Sequence, residues 1–251
     1  AWPHDLPALR ELFASANDTP YDLAAVAWEK CFGAGIGGAP VVRVFEADDR
    51  LAGAAVTCGT WLRILVVARD LRRTGIGSAL VADAESRGAT VVAAEPGNYF
   101  TPGIVTTDEA TAAFFRGRGY IETRWTWNLD APLDTLDSRI AAIDSSIQPA
   151  LIPRHEDAER GLDFVEGEFG RVWRFEAAKA FDSDAPRMVI CESEGVLTGF
   201  AVHDVNNRGL GSFGPTGVAR PMRRRGIGRR ILLASLAQLR RLGYSRVVIP
   251  W

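Results

Sequence analysis

The sequence predicts an α/β protein that consists of two copies of one unit, each a mixed sheet flanked by helices. Residues 67–77 (VARDLRRTGIG) and 218–228 (VARPMRRRGIG) are identical at eight of eleven positions, at an offset of 151 residues. Before each segment the apolar pattern is that of consecutive strands, and after each it is that of a helix. Such self-similarity at a fixed offset indicates a duplicated structural unit.

The repeat and a polar stretch between its copies define the expected domains. Residues 130–146 mix proline, aspartate and serine with one short apolar stretch, which is typical of a linker. We therefore expect a first domain over residues 1–130, a linker over 131–146 and a second domain over 147–251. The first copy lacks the opening strand of the second, and the second lacks the last helix and hairpin of the first. We expect the sequence to be a segment of a longer polypeptide.

The elements of the first copy follow from its apolar periodicity. Two helices come first, followed by an antiparallel meander of three strands, the glycine loop, a helix, a strand, a helix and a final strand or hairpin. Thr106 and Glu109 have the spacing of a capping box, and Gly88 is a candidate C-cap. The expected helices cover 5–16, 20–32, about 78–87 and 109–117, and the expected strands cover 41–47, 51–59, 61–67, 90–94 and 120–129.

The second copy repeats this order after an opening strand. Because antiparallel pairs come first and a parallel crossover follows, each copy is expected to form a mixed, mostly antiparallel sheet with helices on its faces. The expected strands cover 147–154, 187–193, 197–204, 212–218 and 245–251, with helices within 155–181 and a long helix that ends near 241.

Charge and hydropathy argue against several partner classes. The formal net charge is −2, so no global basic field attracts nucleic acid or an anionic membrane. No apolar run approaches the roughly 20 residues of a membrane helix, and the first residues lack the pattern of a secretion signal. We therefore expect a cytoplasmic protein with no nucleic-acid or membrane partner, either a monomer or a homodimer.

The cysteines do not form a recognisable pattern. Cys31, Cys58 and Cys191 are odd in number and far apart in the sequence, and no CxxC pair is present. This spacing supports neither a disulfide framework nor a structural zinc site. We expect the three side chains to be small buried hydrophobic groups and the protein to hold no metal.

The repeated glycine loop predicts an anion-binding site. An Arg-x-x-Gly-x-Gly turn between a strand and a helix exposes successive backbone N–H groups, because glycine adopts conformations closed to residues with a Cβ. The positive end of the helix dipole and the neighbouring arginines add to the attraction. The expected ligand group is a diphosphate.

Two common phosphate-binding motifs do not fit the loop. A P-loop needs lysine after its last glycine, where this sequence has Ser78 and Arg229. The dinucleotide fingerprint needs a third glycine or alanine, where the sequence has Leu80 and Ile231, and it opens a parallel unit instead of following a meander. Both alternatives are therefore rejected.

The loop and the element order resemble the GCN5-related N-acetyltransferase (GNAT) superfamily, whose acetyl-CoA loop is [Q/R]-x-x-G-x-[G/A]. The resemblance covers both copies and implies two tandem GNAT-like domains, each with a sheet that splays between its fourth and fifth strands. The pantetheine arm of the cosubstrate would lie in this split. The residues implied to contact acetyl-CoA are Leu65, Val66, Val67, Arg72, Arg73, Thr74, Gly75, Ile76, Gly77 and Ser78 in the first copy, and Thr216, Gly217, Val218, Arg223, Arg224, Arg225, Gly226, Ile227, Gly228 and Arg229 in the second.

The resemblance implies transfer of an acetyl group from acetyl-CoA to the primary amine of a small molecule, by direct attack in a ternary complex. Such a reaction needs a neutral amine, N–H donors for the oxyanion and an acid for the departing thiolate. In the superfamily this acid is often a tyrosine on the fourth helix, and Phe115 stands in its place here. The candidate catalytic residues are Glu95 and Tyr99 in the first copy and His203 and Asp204 in the second, although each also suits an ordinary structural role.

Two further interpretations stay open. The absent tyrosine favours transfer in the second copy, with the first copy binding coenzyme or shaping the acceptor cleft. The same absence is compatible with a non-catalytic acetyl-CoA sensor or scaffold. A nucleic-acid role for the basic segment 223–230 is less well supported, since no RNA-binding motif accompanies it. The sequence does not identify the acceptor amine.

Overall fold

The computed structural model describes residues 1–136, 150–151 and 155–250. The chain divides into two compact units, which are Ala1–Trp127 (unit 1) and Asn128–Trp251 (unit 2). Within the described residues, no helix combines the length and the apolar character needed to span a bilayer.

Unit 1 consists of a four-stranded mixed sheet with helices packed on it. Strands β1 to β3 form an antiparallel meander, and the short β4 is parallel to β3, in the order β1-β2-β3-β4. The elements are α1 (Leu6–Ala16), α2 (Ala27–Phe32), β1 (Val41–Ala47), β2 (Arg50–Cys58), β3 (Trp61–Val67), α3 (Ile76–Ser86), β4 (Val91–Val92) and α4 (Glu109–Gly117).

The helices of unit 1 bury apolar stripes against this sheet. In α1 the buried residues Leu9, Leu12, Phe13 and Ala16 recur every three or four positions, and this face packs on β2 and β3. Helix α3 contributes a second cluster around the fully buried Val81. The sheet is therefore covered by helices as the sequence predicts.

The sheet of unit 1 opens along β3. The described pairing of β3 with β4 consists of Trp61↔Val91 and Leu62↔Val92 only. Ala93 and Ala94 then adopt positive φ values of 56° and 54°, which turn the chain out of the strand. This turn makes β4 shorter than the expected strand 90–94, and it leaves one edge of β3 beyond Leu62 without a strand partner.

Unit 2 repeats this architecture with an opening strand and a longer last strand. Its antiparallel sheet has the order β6-β7-β8-β9. Ser212, the residue directly before β9, forms a parallel bridge with Val248 in β10. The elements are β5 (Asn128–Pro132), β6 (Ala150–Leu151), α5 (Ala158–Phe169), α6 (Arg171–Ala178), β7 (Met188–Ser193), β8 (Val196–His203), β9 (Phe213–Val218), α7 (Ile227–Arg241) and β10 (Arg246–Pro250). The rest of the expected strand 147–154 lies outside the described residues.

The strand β5 has a different partner from the one that its place in the repeat suggests. The sequence predicts a last strand or hairpin of the first copy over 120–129, but residues 120–127 form no strand. Instead β5 pairs antiparallel with β10 of unit 2, from Asn128↔Pro250 to Pro132↔Arg246. The next residue, Leu133, is fully buried in the core of unit 2. The expected linker 131–146 therefore begins inside β5, and its residues 137–146 lie outside the described part.

One helix start and one helix cap differ from the sequence expectation because polar side chains bond to the backbone. The helix expected from residue 20 begins at Ala27, since Asn17 Nδ2 donates to Tyr21 O (2.6 Å) and Asp22 Oδ1 accepts from Ala25 N (3.0 Å). For α4 the cap is Asp108, whose carboxylate accepts from Thr111 N at 3.0 Å. The capping box predicted from Thr106 is therefore wrong.

The same close approach of helix and strand occurs in both units. A methyl group at Gly53 would lie 2.9 Å from Ile76 Cγ2, and one at Gly199 would lie 3.0 Å from Ile227 Cγ2. Ile76 and Ile227 are the first residues of α3 and α7, and both are buried. Glycine on β2 and on β8 thus lets the starts of α3 and α7 rest directly on the sheet.

We expect Gly53→Ala and Gly199→Ala each to lower the free energy of unfolding by about 1–3 kcal/mol, because the added methyl group overpacks this contact. Urea unfolding followed by circular dichroism measures the change. Gly167→Ala is the control, since this exposed helical glycine has open space around its Cβ position, and it should stabilise the protein by about 0.4–1 kcal/mol. Equal effects in all three variants would contradict the packing role.

Candidate functional site

The glycine loop of unit 1 has the backbone conformation of an anion site. Arg73 and Gly75 adopt left-handed conformations with φ values of 67° and 96°. The first helical bond of α3 runs from Ala79 N to Gly75 O at 3.0 Å, so the N–H groups of the preceding first turn have no acceptor within the helix. These groups and the helix dipole favour a negatively charged ligand group.

Unit 2 has the same loop conformation. Arg224 and Gly226 have φ values of 63° and 81°, and the first helical bond runs from Arg230 N to Gly226 O at 3.2 Å. Arg223 Nε donates to Val218 O at 3.1 Å, as Arg72 Nε donates to Val67 O at 3.2 Å. The resemblance between the two segments therefore extends from sequence to backbone geometry.

A cavity of about 570 Å³ lies in unit 1 along the open edge of β3. The loop residues Arg73, Gly75, Gly77 and Ser78 line one end, and residues 62–67 line its length. Of the ten residues predicted to contact the coenzyme in the first copy, the lining includes all but Thr74 and Ile76: these eight are Leu65, Val66, Val67, Arg72, Arg73, Gly75, Gly77 and Ser78.

Arg72 is held by the end of α1 instead of extending freely from the loop. Its Nη1 lies 2.6 Å from Asp18 Oδ2, and its Nη2 donates to Ala16 O at 2.7 Å. Asp18 also accepts from Arg69 Nη2 at 2.8 Å. Asp18 lines the cavity, and sequence reasoning missed it because the contact joins residues 54 positions apart.

The lining of the cavity offers few groups that exchange protons. Its ionisable side chains are Asp18, Arg63, Arg72, Arg73 and Asp108, and the lining includes no tyrosine, histidine, cysteine, lysine or glutamate. The side chain at the position of the family tyrosine, Phe115, lines the wall and packs on Phe114 and Tyr120 with ring centroids 5.1 and 5.3 Å apart. Phe115 therefore shapes the cavity and donates no proton.

Glu95, a candidate base, is engaged in a buried ion pair. Both of its carboxylate oxygens accept from Arg63, with Arg63 Nη2 2.9 Å from Oε1, and both side chains are excluded from solvent. Arg63 Nη1 also donates to Lys30 O (2.8 Å) and Gly33 O (2.9 Å). This bidentate arrangement connects β3 to the residues after β4, which is a structural task for Glu95.

The other residues singled out in unit 1 are also buried. Tyr99 is 7% exposed and is not part of the cavity lining, whereas its neighbour Phe100 is. Cys31 and Cys58 are buried, as is Cys191 in unit 2, and burial raises the pKa of the Cys31 thiol to about 12. Within the described residues, no group of three or more metal-ligating side chains comes together.

His203 and Asp204 lie at the end of β8, in a polar cluster of unit 2. Asp204 is fully buried; it forms an ion pair with Arg187 and accepts from Tyr244 Oη (2.7 Å) and Gly209 N (2.7 Å). Among the described residues, the Nδ1 atom of His203 has no hydrogen-bond partner, and the residue is 2% exposed. Burial, with a smaller effect of Arg187, lowers the pKa of His203 to about 4.

A mixed sheet that opens along one strand, with an anion-binding helix start at the end of the opening, is the arrangement that the resemblance to GNAT proteins implies. The family model described as Acetyltransferase (GNAT) family matches residues 154–250. These residues are therefore similar to the acetyltransferases of the GNAT family. No curated protein matches the chain.

Solved structures extend the fold similarity to the whole chain. A GCN5-related N-acetyltransferase from Sphaerobacter thermophilus is similar with a TM-score of 0.67 and 20% identity, over 100% of this chain and 84% of that one. A tandem GNAT protein from the clavulanic acid biosynthesis pathway has the same TM-score and identity, over 99% and 86%.

A third similar structure is a GCN5-related glucosamine N-acetyltransferase region of a fungal multi-domain GH3 β-N-acetylglucosaminidase. Its TM-score is 0.72 and its identity 15%; the match covers 97% of this chain and about a third (34%) of that one. At these identities the three structures show the fold, which is the mixed α+β fold of GNAT proteins.

We expect Glu95→Gln to lower the free energy of unfolding by about 3–5 kcal/mol, because it leaves the buried Arg63 guanidinium without its counter-charge. Chemical unfolding measures this value. The matched control is Asp70→Asn, which breaks the exposed pair with Arg50 and should leave the free energy of unfolding almost unchanged. A loss of activity in Glu95→Gln without loss of stability would instead favour Glu95 as a base.

Stability should depend on pH through His203. Its pKa is about 4 in the folded protein and near 6.5 in the unfolded chain, so between these values the unfolded chain binds more protons. The free energy of unfolding should therefore fall by up to about 3 kcal/mol from this group as the pH drops from 6.5 to 4. The free energy of unfolding should change less with pH across this range in His203→Gln than in wild type. His4→Gln, which replaces an exposed histidine, is the control. If the free energy of unfolding of His203→Gln changes with pH as steeply as that of wild type, His203 is not the group responsible.

Proposed function

We propose that this protein is a tandem GNAT N-acetyltransferase that transfers the acetyl group of acetyl-CoA to the primary amine of a small molecule, in a ternary complex. The observation that carries the proposal is the cavity of unit 1, which joins the phosphate-type loop to the open edge of β3. Its volume of about 570 Å³ is within the range of small-molecule and cofactor sites.

The tandem organisation is supported by contacts that recur at the same offset. The glycine loops share their left-handed residues, their first helical bonds and the bond from the first arginine to the preceding strand. One similar solved structure is itself described as a tandem GNAT protein.

The residues of unit 1 suit the two polar parts of the coenzyme arm. The N–H groups at the start of α3 would hold the diphosphate, with Arg73 beside them. The amide groups on the open edge of β3 would bond to the amides of the pantetheine arm, because no strand competes for them beyond Leu62. Leu23, Phe100 and Phe115 give the rest of the cavity an apolar wall.

The chemistry does not require a tyrosine. A thiol has a pKa of about 8.5, so a departing thiolate near neutral pH is a moderately good leaving group and takes its proton from water. The attacking amine must be neutral, and solvent at the cavity mouth accepts its proton. Because the cavity lies in unit 1, we place transfer there and not in the second copy, which the absence of the tyrosine had favoured.

A non-catalytic acetyl-CoA sensor is the second candidate function. It is favoured by the scarcity of proton-exchanging side chains in the lining of the cavity. Such a protein would bind acetyl-CoA and release no free thiol with any amine.

We expect amine-dependent release of free thiol from acetyl-CoA, measured with a thiol reagent across a panel of small primary amines. Gly75→Glu should lower the rate at least about 100-fold, because a carboxylate at the loop repels the diphosphate. Gly88→Glu is the matched control, since Gly88 has a similar φ of 94° and open space around it but lies at the other end of α3. Binding of acetyl-CoA without thiol release would favour the sensor.

A further inference from the structure

We infer that Lys30 and Asn98 are positioning residues of the unit 1 cavity. Their buried contact fixes the cavity wall over residues 100–105, and with it the space for the pantetheine arm of acetyl-CoA. The inference rests on the proposed function and deepens it, because neither residue is part of the described lining of the cavity.

Lys30 is a cation that is completely excluded from solvent. Its Nζ atom donates to Glu29 Oε1 (2.7 Å), Asn98 Oδ1 (3.2 Å) and Asn98 O (3.4 Å), so each of its three N–H groups has an acceptor. A lysine is almost never fully buried unless it is paired. The Glu29 side chain remains 20% exposed, so pairing with it does not require burial, whereas contact with the fully buried Asn98 does.

Asn98 bonds the segment after β4 to the end of α2. Its Nδ2 atom donates to Gly33 O (3.1 Å) and Ala34 O (3.2 Å), just after the last residue of α2, and its Oδ1 atom accepts from Lys30. Its backbone N donates to Glu95 O at 3.1 Å, which closes the turn that begins at Glu95. Both polar atoms of the side chain therefore connect this turn to one helix end.

The same helix end holds the other side of the split. Arg63 of β3 donates to Lys30 O and Gly33 O. A methyl group at Gly35 would collide with Glu95 Oε1 and would lie 2.8 Å from Arg63 Nη2, so the loop after α2 lies directly on the ion pair. The end of α2 is thus a common anchor for β3 and for the segment that diverges from it.

The ion pair alone does not fix the wall. Glu95 is followed by Pro96 and by Gly97, whose φ of 73° turns the chain, and the wall begins only at Phe100. Asn98 lies between this turn and the wall, two residues before Phe100. The wall residues that line the cavity are Phe100, Thr101, Gly103, Ile104 and Val105. Loss of the bonds to Asn98 therefore lets the wall move while the ion pair stays in place.

The glycine loop does not depend on these two residues. Its conformation is set by the left-handed Arg73 and Gly75 and by the bonds of Arg72 to Val67 O and Ala16 O. We therefore expect loss of the Lys30–Asn98 contact to weaken binding of the pantetheine arm without weakening binding of the diphosphate.

Isothermal titration of the full chain with two ligands tests the inference. The first is acetyl-CoA, and the second is adenosine 3′-phosphate 5′-diphosphate, a fragment that has the diphosphate but lacks the pantetheine arm. Each protein carries Gly226→Glu, so that the loop of unit 2 contributes no binding. Lys30→Met should raise the dissociation constant for acetyl-CoA at least about 10-fold and leave that for the fragment within about twofold.

Two further variants and a control accompany Lys30→Met. Asn98→Leu removes the same bonds from the other side and should give the same difference between the ligands. Lys30→Gln keeps an N–H donor for Asn98 and should raise the constant for acetyl-CoA less than Lys30→Met does. Lys179→Met replaces the chain's other lysine, in unit 2, and should leave both constants unchanged. Circular dichroism verifies that each variant is folded.

The outcomes separate this inference from the proposed function. An unchanged constant for acetyl-CoA in folded Lys30→Met and Asn98→Leu, or an equal rise for both ligands, would overturn the positioning role and leave the proposed function standing. Loss of acetyl-CoA binding through Gly226→Glu alone would place the site in unit 2 and also overturn the inference. No binding of acetyl-CoA by the wild type would instead overturn the proposed function.

Discussion

The buried ion pair between Arg63 and Glu95 spans the point at which the sheet of unit 1 opens. Arg63 is the first residue of β3 beyond its last pairing with β4, and Glu95 follows the left-handed turn at Ala93 and Ala94. The pair therefore holds the diverging chain segments at a fixed separation after their ladder has ended. Because two buried charges are costly when separated, the split neither closes into a ladder nor opens further. The cavity depends on this width.

Local signals in the sequence were sufficient for most of the fold. Strands β1 and β3 and helix α4 have the predicted bounds, because alternation, turn residues and helical spacing are properties of neighbouring residues. The loop was equally predictable, since the left-handed conformations at Gly75 and Gly226 need glycine wherever they occur. The catalytic and coenzyme-binding roles of individual residues stay predictions.

Contacts between distant parts of the chain were not predictable in this way. Glu95 has the sequence context of an exposed strand end, and only the fold brings it to Arg63, 32 residues earlier. The partner of β5 is likewise set by tertiary structure, because an apolar alternating strand fits any open edge and β10 supplies one. The ion pair of Asp18 with Arg72 could not be read from a sequence without knowing where α1 ends.

The duplicated loop shows how one motif serves packing and binding at once. The backbone turn requires glycine in the loop with or without a ligand. The contact of the helix start with the sheet likewise requires glycine at Gly53 and Gly199. Binding needs something more, which is free space along the neighbouring strand. Unit 1 has that space along the open edge of β3, where residues 62–67 line the cavity. A repeated motif therefore indicates a repeated turn, and binding depends in addition on the space along the neighbouring strand.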